Sequence, residues 1–410
     1  FQAEDGIRDR SPSRGLGDVY KRQMDIQWSN RIKNLPPYLF AEIDAKKQAL
    51  LDKGVNVIDL GVGDPDIPTP DRIISALNIS SKNPVNHQYP SYAGMMSFRN
   101  EVASWYGRRF NVQVQGSKNV IILIGSKEGV AHAPLAFINP GDVALVPDPG
   151  YPVYGIATTF AGGTPYLMPL LEQNGFMPDL DVIPQDILNK AKIMFLNYPN
   201  NPTTAVAPDD YFEQAIAYCA QHEVVLAHDH AYSEIAFDGY HPRSVLEFKG
   251  AKDVAIEYHS FSKTYNMTGW RLGWAVGNTD LISILSKVKS FLDTGQFLAV
   301  QAAGAAALAC WKEWVPGNVT TFQKRRNTAV QELQNVGFDI SRPRATMYLW
   351  VPVPTGESSE DFAARALETE GVVVLPGSAL GRGGEGFFRI ALTRPEDRLA
   401  EAVQRLGRLL

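Results

Sequence analysis

The sequence is poor in the features that mark several classes of protein. It has 2 cysteines among 410 residues, and Cys219 and Cys310 lie far apart without a metal or redox motif, so we expect a reducing compartment and a cytoplasmic protein. The longest apolar stretch, residues 297–311, is interrupted by Gln301 and Gly304 and is too short to span a bilayer. Basic residues are not in excess, since 39 Lys and Arg stand against 44 Asp and Glu. Neither a membrane nor a nucleic acid is therefore an expected partner.

Residues 1–23 differ in character from the rest of the chain. They are charged, they begin without methionine, and they show neither the apolar segment of a signal peptide nor amphipathic spacing. They look like a translated sequencing adapter fused to the gene. We therefore take Met24 as the true start and expect residues 1–23 to be an artefactual or disordered extension without function.

Apolar strands alternate with helices through the middle of the chain. Short apolar runs begin at Val120, Val143, Ile193 and Val224, and each is followed by a polar turn. This alternation predicts an α/β fold with a mostly parallel sheet that is covered on both faces. Ligands of such sheets bind at the carboxyl ends of the strands. Just past those ends lie Ser126, Tyr151, Asn201, Asp229 and Lys263, which we take as candidate site residues.

The stretch SFSKTYNMTGWRLG, which begins at Ser260, carries the strongest chemical signal. Lys263 lies between small hydroxyl residues, which would let a flat cofactor reach its amine and form a Schiff base. Ser260, Ser262 and Arg271 could together hold a phosphate, which arginine binds in a bidentate manner. An ordinary lysine on an exposed loop would explain Lys263 alone, but it would not explain the glycines and the arginine that follow.

Two further patterns have competing interpretations. Arg389 lies in a short apolar strand, where a buried arginine needs either a structural carboxylate or a bound anionic ligand. His228 and His230 flank Asp229, as in some metal sites. Strand alternation, however, directs both histidines away from the face of Asp229, so we expect no metal.

Several blocks of the sequence resemble the class I and II aminotransferases, and in particular the LL-diaminopimelate aminotransferases in their shorter bacterial form. The blocks are LPPYLFAEID, HQYPSYAGM, GSKEGVAH, DPGYPVY, NYPNNPT, AYSEIAFDGY, SFSKTYNMTGWRLG and FFRIAL, and they extend over nearly all of residues 24–410. The resemblance implies the type I fold of pyridoxal-phosphate enzymes and a homodimer with both active sites at the interface. It also implies a reaction of lysine biosynthesis, in which LL-2,6-diaminopimelate and 2-oxoglutarate give tetrahydrodipicolinate and glutamate.

The same resemblance assigns roles around pyridoxal phosphate. Lys263 would bind the cofactor covalently and then carry a proton between the substrate α-carbon and the cofactor carbon C4′. Asp229 would pair with the pyridinium nitrogen and keep it protonated. Tyr232 and Asn201 would hydrogen-bond the phenolic oxygen of the ring, and Tyr151 would stack on the ring. The phosphate would be held by Ser126, the Lys127 amide, Ser260, Ser262 and Arg271, with Tyr89 reaching in from the partner subunit.

For the substrate, the resemblance implies that Arg389 clamps the α-carboxylate in a bidentate manner. The remaining substrate contacts would come from Tyr38 on the N-terminal arm, Gly63, Asn201, and Asp66 or Asp64 of the partner subunit, one of which would accept the distal ammonium group. An aspartate in this glycine-rich stretch also fits a turn-forming role.

Four segments are expected along the chain. They are the extension of residues 1–23, an N-terminal arm with part of a small domain at 24–60, a large cofactor-binding domain at 61–296, and a smaller α+β domain at 297–410.

Three other functions share much of this pattern. One is a related aminotransferase that acts on alanine, aspartate or an aromatic amino acid, and another is a β-lyase with the same cofactor. Both would keep the cofactor residues and differ in the side-chain pocket. The third is a non-catalytic regulator with the same fold, but such proteins usually carry a DNA-binding domain ahead of the fold, and nothing of that size precedes Met24.

Overall fold

The computed structural model of the chain describes residues 27–33, 35 and 39–410, with the backbone alone for residues 39–42. The chain divides into two compact units, Phe1–Pro37 and Tyr38–Leu410. The described part of the first unit holds the short helix Asn30–Lys33. Residues 1–23 and Tyr38, for which the sequence raised expectations, lie outside the described residues.

The second unit contains all the described strands, and seven of them form one large sheet. The strands are β1 (Ile58–Asp59), β2 (Val120–Leu123), β3 (Val143–Asp148), β4 (Thr164–Pro169), β5 (Ala191–Leu196), β6 (Val225–Asp229), β7 (Ala255–Ser260), β8 (Gly273–Gly277), β9 (Tyr348–Pro352), β10 (Val372–Val373), β11 (Leu375–Pro376) and β12 (Phe387–Ala391). The large sheet has the order β2-β8-β7-β6-β5-β3-β4. Within it β8 is antiparallel to both neighbours, and the other pairs are parallel. The expected mostly parallel sheet is thereby confirmed.

Helices connect and cover these strands. The α-helices of the second unit are Leu39–Asp52, Asp71–Ser81, Met96–Phe110, Gly116–Asn119, Ser126–Phe137, Val153–Phe160, Gln185–Leu188, Asp209–Gln221, Ala251–Val254, Phe261–Thr264, Thr279–Leu292, Leu298–Ala309, Trp311–Val336, Ser359–Glu370 and Glu396–Gly407. Short 3-10 segments occur at Pro84–His87, Glu172–Asn174, Val245–Glu247, Thr268–Trp270, Gly377–Leu380 and Arg382–Gly384. Each described helix is too short or too polar to cross a membrane.

Alternation along the strands explains why the large sheet is buried on both faces. In β2, Val120 and Ile122 pack into one apolar cluster, while Ile121 and Leu123 pack into another. Successive side chains of a strand point to opposite faces, so a strand without polar positions contributes to two cores at once. The same alternation separates Asp229 from its neighbour His228.

A second core surrounds the short strands near the C-terminus. Strand β12 pairs with β11 and β9 in one small sheet, and β1 pairs with β10 in another. The long helix Trp311–Val336 serves both cores, since its Val315 packs with the large-sheet core while Phe322 and Leu333 pack with the second. The preceding helix, Leu298–Ala309, also packs with the large-sheet core. The change from one core to the other therefore falls within the long helix.

The parallel strands deliver polar residues to one edge of the large sheet. Strand β6 ends at Asp229, and β7 ends at Ser260, directly before the helix that carries Lys263. Since β5, β6 and β7 are parallel neighbours, their carboxyl ends lie side by side. The loop that follows β1 reaches the same place, because the Gly63 carbonyl accepts a hydrogen bond from Lys263.

Candidate active site

Lys263 is presented by a short helix at the end of β7. Ser260 caps this helix by accepting a hydrogen bond from the Ser262 amide at 3.1 Å. The lysine Nζ donates to the Gly63 carbonyl oxygen, which is a neutral partner. Burial lowers the pKa of Lys263, and the nearby positive charges of Arg389 and Arg271 lower it further against the opposing effects of Tyr348 and Asp64. A lysine with a lowered pKa is more readily an uncharged amine, which is the form that acts as a nucleophile or base.

Asp229 has one oxygen paired and one open. Its Oδ2 accepts a hydrogen bond from the Tyr154 hydroxyl at 2.8 Å. Its Oδ1 is buried and accepts no well-formed hydrogen bond from any described residue. Burial raises the pKa of Asp229, while the Tyr154 hydrogen bond, the charge of His228 and the Ala231 amide oppose that rise. An open, buried carboxylate oxygen is a ready acceptor for a cationic N–H group.

Two tyrosines lie beside the lysine. The hydroxyls of Tyr232 and Tyr348 are 3.1 Å apart. Burial raises the pKa of Tyr232, whereas the charges of Arg389 and Lys263 overcome the effect of burial on Tyr348 and lower its pKa. At Gly63 an added Cβ would lie 2.1 Å from the Tyr348 hydroxyl oxygen, so only glycine permits this close approach.

Arg389 is buried among neutral oxygens. It is 5% exposed, and its Nη1 and Nη2 donate to the Asn201 side-chain oxygen at 2.7 Å and to the Gly61 carbonyl at 2.8 Å. Its guanidinium carbon lies 4.1 Å from the centre of the Tyr348 ring, and its Nε has no hydrogen-bond partner among the described residues. The contacts described for Arg389 thus differ from the structural ion pair that the sequence also allowed, and they leave a buried cation able to bind a carboxylate.

Two of the residues expected to bind the phosphate, Ser126 and Arg271, lie together at the first turn of helix Ser126–Phe137. Gly125 has φ +73°, and an added Cβ there would lie 2.6 Å from an Arg271 guanidinium nitrogen. At Gly273 an added Cβ would lie 2.7 Å from the Ser126 amide nitrogen. The two glycines therefore let the guanidinium and strand β8 approach the helix start. Backbone amides at a helix N-terminus together with an arginine form an anion site.

Gly125 is the N-cap of this helix, and Ser126 is its first helical residue. The side chain of Lys127 is exposed, which leaves its amide as the group available to an anion.

Other expected residues are placed differently. Tyr151 lies close to the site, because its ring is 5.7 Å from the Tyr154 ring. Tyr89 is 90% exposed on the single chain. Asp66 forms two hydrogen bonds to the Arg325 guanidinium at 2.6 and 3.0 Å, which occupies both of its oxygens. Asp66 is thus held in a long-range ion pair with Arg325, which differs from both the substrate contact and the turn-forming role considered from the sequence.

Sequence reasoning missed Tyr154 and Tyr348. Tyr154 lies in helix Val153–Phe160, three residues after Tyr151, and its closeness in sequence to that expected site residue could have indicated it. For Tyr348 the sequence offers only a tyrosine at the start of a strand, and no local pattern relates it to Arg389 or Gly63.

The donor set fits pyridoxal phosphate. That cofactor presents an aldehyde, a pyridinium N–H and a phosphate, and the described residues offer a lysine of lowered pKa, an open carboxylate oxygen and an anion site. Lys263 would hold the aldehyde carbon, Asp229 the ring nitrogen, and Ser126, Ser262 and Arg271 the phosphate. Tyr154, by its hydrogen bond to Oδ2, would hold the Asp229 carboxylate in place.

Comparisons with known proteins agree with this site. The family model for aminotransferase class I and II matches residues 55–406. The LL-diaminopimelate aminotransferases of Syntrophobacter fumaroxidans and Aquifex aeolicus are 53% and 52% identical to the chain, covering 93% and 94% of it and 98% and 99% of their own lengths.

Among solved structures, substrate-bound BacF from Bacillus subtilis superposes with a TM-score of 0.90 at 37% identity, covering 94% of this chain and 98% of BacF. The fold is thus the type I fold of pyridoxal-phosphate transferases, as the resemblance implied. The family match and the similarity over almost the whole length show that this chain belongs to the class I and II aminotransferases, enzymes that transfer amino groups with the aid of pyridoxal phosphate.

Proposed function

We propose that the protein transfers an amino group from LL-2,6-diaminopimelate to 2-oxoglutarate, giving tetrahydrodipicolinate and glutamate in lysine biosynthesis. The name shared by relatives that are 53% and 52% identical over nearly their full lengths supports this substrate. One observation supports the reaction class: Lys263, whose pKa is lowered, lies in the same site as Arg389, a buried arginine whose hydrogen-bond partners are neutral.

The division of labour follows from the chemistry of the site. Pyridoxal phosphate, when bound, supplies an electron sink that makes the α-proton of an amino acid acidic. The Lys263 amine removes and returns that proton, a role that its lowered pKa suits. Asp229 keeps the ring nitrogen protonated through its open Oδ1, and Tyr232 donates to the phenolic oxygen.

Arg389 orients the substrate in this proposal. A carboxylate that binds its guanidinium would replace or supplement the Asn201 and Gly61 oxygens and would satisfy the unpartnered Nε. Holding the α-carboxylate at a fixed place directs the α-hydrogen toward Lys263, because Arg389 and Lys263 both contact the same 61–63 segment. Tyr38, Gly63 and Asn201 would complete the pocket.

We also propose a homodimer in the cytoplasm, with Tyr89 of each subunit completing the phosphate site of the other. Tyr89 is 90% exposed and Phe291 is 78% exposed on the single chain, which is unusual for large hydrophobic residues without a partner surface. In domain terms we place the cofactor-binding domain at residues 61–296 and the smaller domain at 297–410, with the N-terminal segment 24–60 contributing to it.

The test is a set of single-substrate half-reactions. Purified holoenzyme would be mixed separately with LL-diaminopimelate, meso-diaminopimelate, glutamate, alanine and aspartate, and the absorbance of the aldehyde form of the cofactor would be followed. The proposal expects rapid loss of that absorbance with LL-diaminopimelate and glutamate. Conversion by alanine or aspartate but not by LL-diaminopimelate would identify a related aminotransferase instead, and elimination products would identify a β-lyase.

A further inference from the structure

A buried cluster of titratable groups lies behind Asp229, on the opposite face of β6. Its members are Tyr106, His228, His230, Glu257 and His259, none of which is more than 2% exposed. Burying so many ionisable groups is costly unless they satisfy one another. The proposed reaction uses none of them directly.

Glu257 is the centre of this cluster. Its Oε1 accepts hydrogen bonds from the Tyr106 hydroxyl at 2.7 Å, the Ser244 hydroxyl at 2.8 Å and His259 Nε2 at 3.0 Å, and its Oε2 accepts from the Val245 amide at 2.8 Å and His228 Nδ1 at 2.9 Å. Burial alone would raise the pKa of Glu257, but the histidines around it hold that pKa well below its ordinary value. Glu257 is therefore an anion that acts only as an acceptor.

The hydrogen bonds of His228 fix its protonation state. Its Nδ1 faces the Glu257 carboxylate at 2.9 Å, and its Nε2 faces the Tyr198 carbonyl oxygen at 3.0 Å. A carboxylate anion and a backbone carbonyl can only accept, so both ring nitrogens must donate. The geometry therefore favours an imidazolium form of His228, which is fully buried and adjacent in the chain to Asp229.

A metal ion is the main alternative for this cluster. Ligand atoms of His228, His230 and Glu257 lie within 4.8 Å of one another, which a metal could bridge. Both oxygens of Glu257, however, already accept from several donors, and a metal would have to displace the Nδ1 proton of His228. The geometry therefore suits a proton between His228 and Glu257 better than a metal.

We propose that the buried imidazolium of His228 is a positioning charge that keeps Asp229 ionised from behind β6. This inference rests on the proposed pairing of Asp229 with the cofactor ring. The donors described for Asp229 are neutral, namely the Tyr154 hydroxyl and the Ala231 amide. A cation on the opposite face can favour the carboxylate without occupying Oδ1, which leaves that oxygen for the ring nitrogen.

Most of the other groups near this pair are neutral. Tyr154, Tyr232 and Tyr258 approach Asp229, and burial raises their pKa values, so they stay neutral. Burial lowers the pKa of His230 to about 3, so it is neutral as well. His259, which shares the Glu257 carboxylate at 3.0 Å, also opposes the rise in the pKa of Asp229, but its effect is smaller than that of His228.

The sign of the effect on pH dependence follows directly. Burial raises the pKa of Asp229, and the His228 charge opposes that rise. The Asp229 carboxylate is present above its pKa and lost as the pH falls through it. Removing the His228 charge would raise this pKa, so the acid limb of the activity profile would move to higher pH.

The first test compares His228→Asn with Tyr106→Phe in the holoenzyme. The asparagine amide can still donate to Glu257 but carries no charge, whereas Tyr106→Phe removes one hydrogen bond to the same carboxylate and leaves His228 intact. We expect the acid limb of kcat/KM to rise by about one to two pH units in His228→Asn and to stay in place in Tyr106→Phe. An acid limb at the same pH in the two folded variants would overturn the proposal.

The second test needs no catalysis, and its main result comes from the unmodified protein. In holoenzyme labelled with ¹⁵N-histidine, NMR at pH 9 should show one imidazole ring with protons on both nitrogens, since exposed histidines are neutral there. His259→Asn should retain this signal, and His228→Asn should lose it. Absence of a doubly protonated ring in the unmodified protein contradicts the inference.

The two tests separate this inference from the proposed function. If the proposed substrate is wrong, LL-diaminopimelate fails to react with the unmodified enzyme at every pH, while the NMR signal is unaffected. If only this inference is wrong, turnover is normal and the acid limb does not depend on His228.

Discussion

The buried and partly buried lysines and arginines of the described residues differ in their partners. A first group faces carboxylates: Arg325 pairs with Asp66 at 2.6 Å, Arg326 with Asp238 at 2.6 Å, and Lys289 with Glu128 at 3.0 Å. A second group, Lys263 and Arg389, donates to carbonyl and amide oxygens of Gly63, Gly61 and Asn201. Arg99 also donates to neutral groups, the Val120 and Ser117 carbonyls, so neutral partners alone do not mark a ligand site. A buried cation with a carboxylate is satisfied within the fold, whereas Arg389, with neutral partners and an Nε that has no partner among the described residues, keeps the capacity to bind an anion.

The difference separates residues that hold the structure together from residues kept ready for ligands. Asp229 is the anionic counterpart of the second group, because one of its oxygens is open and buried. Substitutions in the first group should therefore cost stability, and substitutions in the second should cost activity.

The largest effect is expected for Lys263→Ala. Removing a general base costs about 10²–10⁴-fold, and loss of the covalent link adds to this. The variant should still bind pyridoxal phosphate noncovalently through Asp229 and the phosphate site, which gel filtration followed by absorbance would show. The matched control is Lys289→Ala, which should lower the melting temperature and keep substantial activity. Turnover of Lys263→Ala within tenfold of the unmodified enzyme would exclude the assigned role.

Asp229→Asn should come next. An amide cannot keep the ring nitrogen protonated, and we expect a loss of roughly 10²–10³-fold, as for other groups that stabilise charge in the reaction. Stability should hold or improve, because a buried carboxylate with an open oxygen is removed. Stopped-flow rates and thermal melts measure the two quantities. Normal rates would mean that another acid supports the ring.

The variants Arg389→Gln and Arg325→Gln allow a comparison between an arginine with neutral partners and an arginine paired with a carboxylate. Loss of a buried charge contact to substrate should cost about 2–5 kcal/mol in kcat/KM for Arg389→Gln, with little change in melting temperature. Arg325→Gln should instead lower stability by roughly 1–3 kcal/mol, because it leaves Asp66 without its partner. Steady-state kinetics and chemical denaturation of both variants check this contrast, and the reverse pattern would refute the distinction.

Asp66→Asn should have the smallest effect. Since both oxygens of Asp66 are bound to Arg325, the variant should lose a little stability and change the KM values for LL-diaminopimelate and glutamate to a similar extent. Glutamate has no distal ammonium group, so it is the internal control. A selective increase in KM for LL-diaminopimelate would instead make Asp66 the distal contact.

Much of the fold and part of the candidate site could be predicted from the sequence, and the features that could not be predicted have physical reasons. Apolar runs such as the one at Val143 predicted buried parallel strands, and the structure contains them. A strand with apolar side chains on both faces is stable only where both faces are covered, so this feature is visible in the sequence. Residues close in sequence, such as Ser260, Ser262 and Lys263, were also correctly grouped, since one short helix carries them.

Contacts between distant segments could not be read in the same way. The pairing of Asp66 with Arg325, the approach of Tyr348 to Gly63 and the Glu257 cluster each join parts of the chain that no local spacing relates. The place where one core gives way to the other is a further example. One long helix supplies both cores, and only the packing shows where the change occurs.

The most direct measurement of the central claim is the thermal stabilisation of holoenzyme by glutarate, a dicarboxylate that has no amino or keto group and cannot react. Binding to the native state alone raises the melting temperature as the ligand concentration rises. If Arg389 is a cation kept for a carboxylate, the unmodified protein and Arg325→Gln should both show this rise, and Arg389→Gln should not. An equal rise in Arg389→Gln would contradict the account.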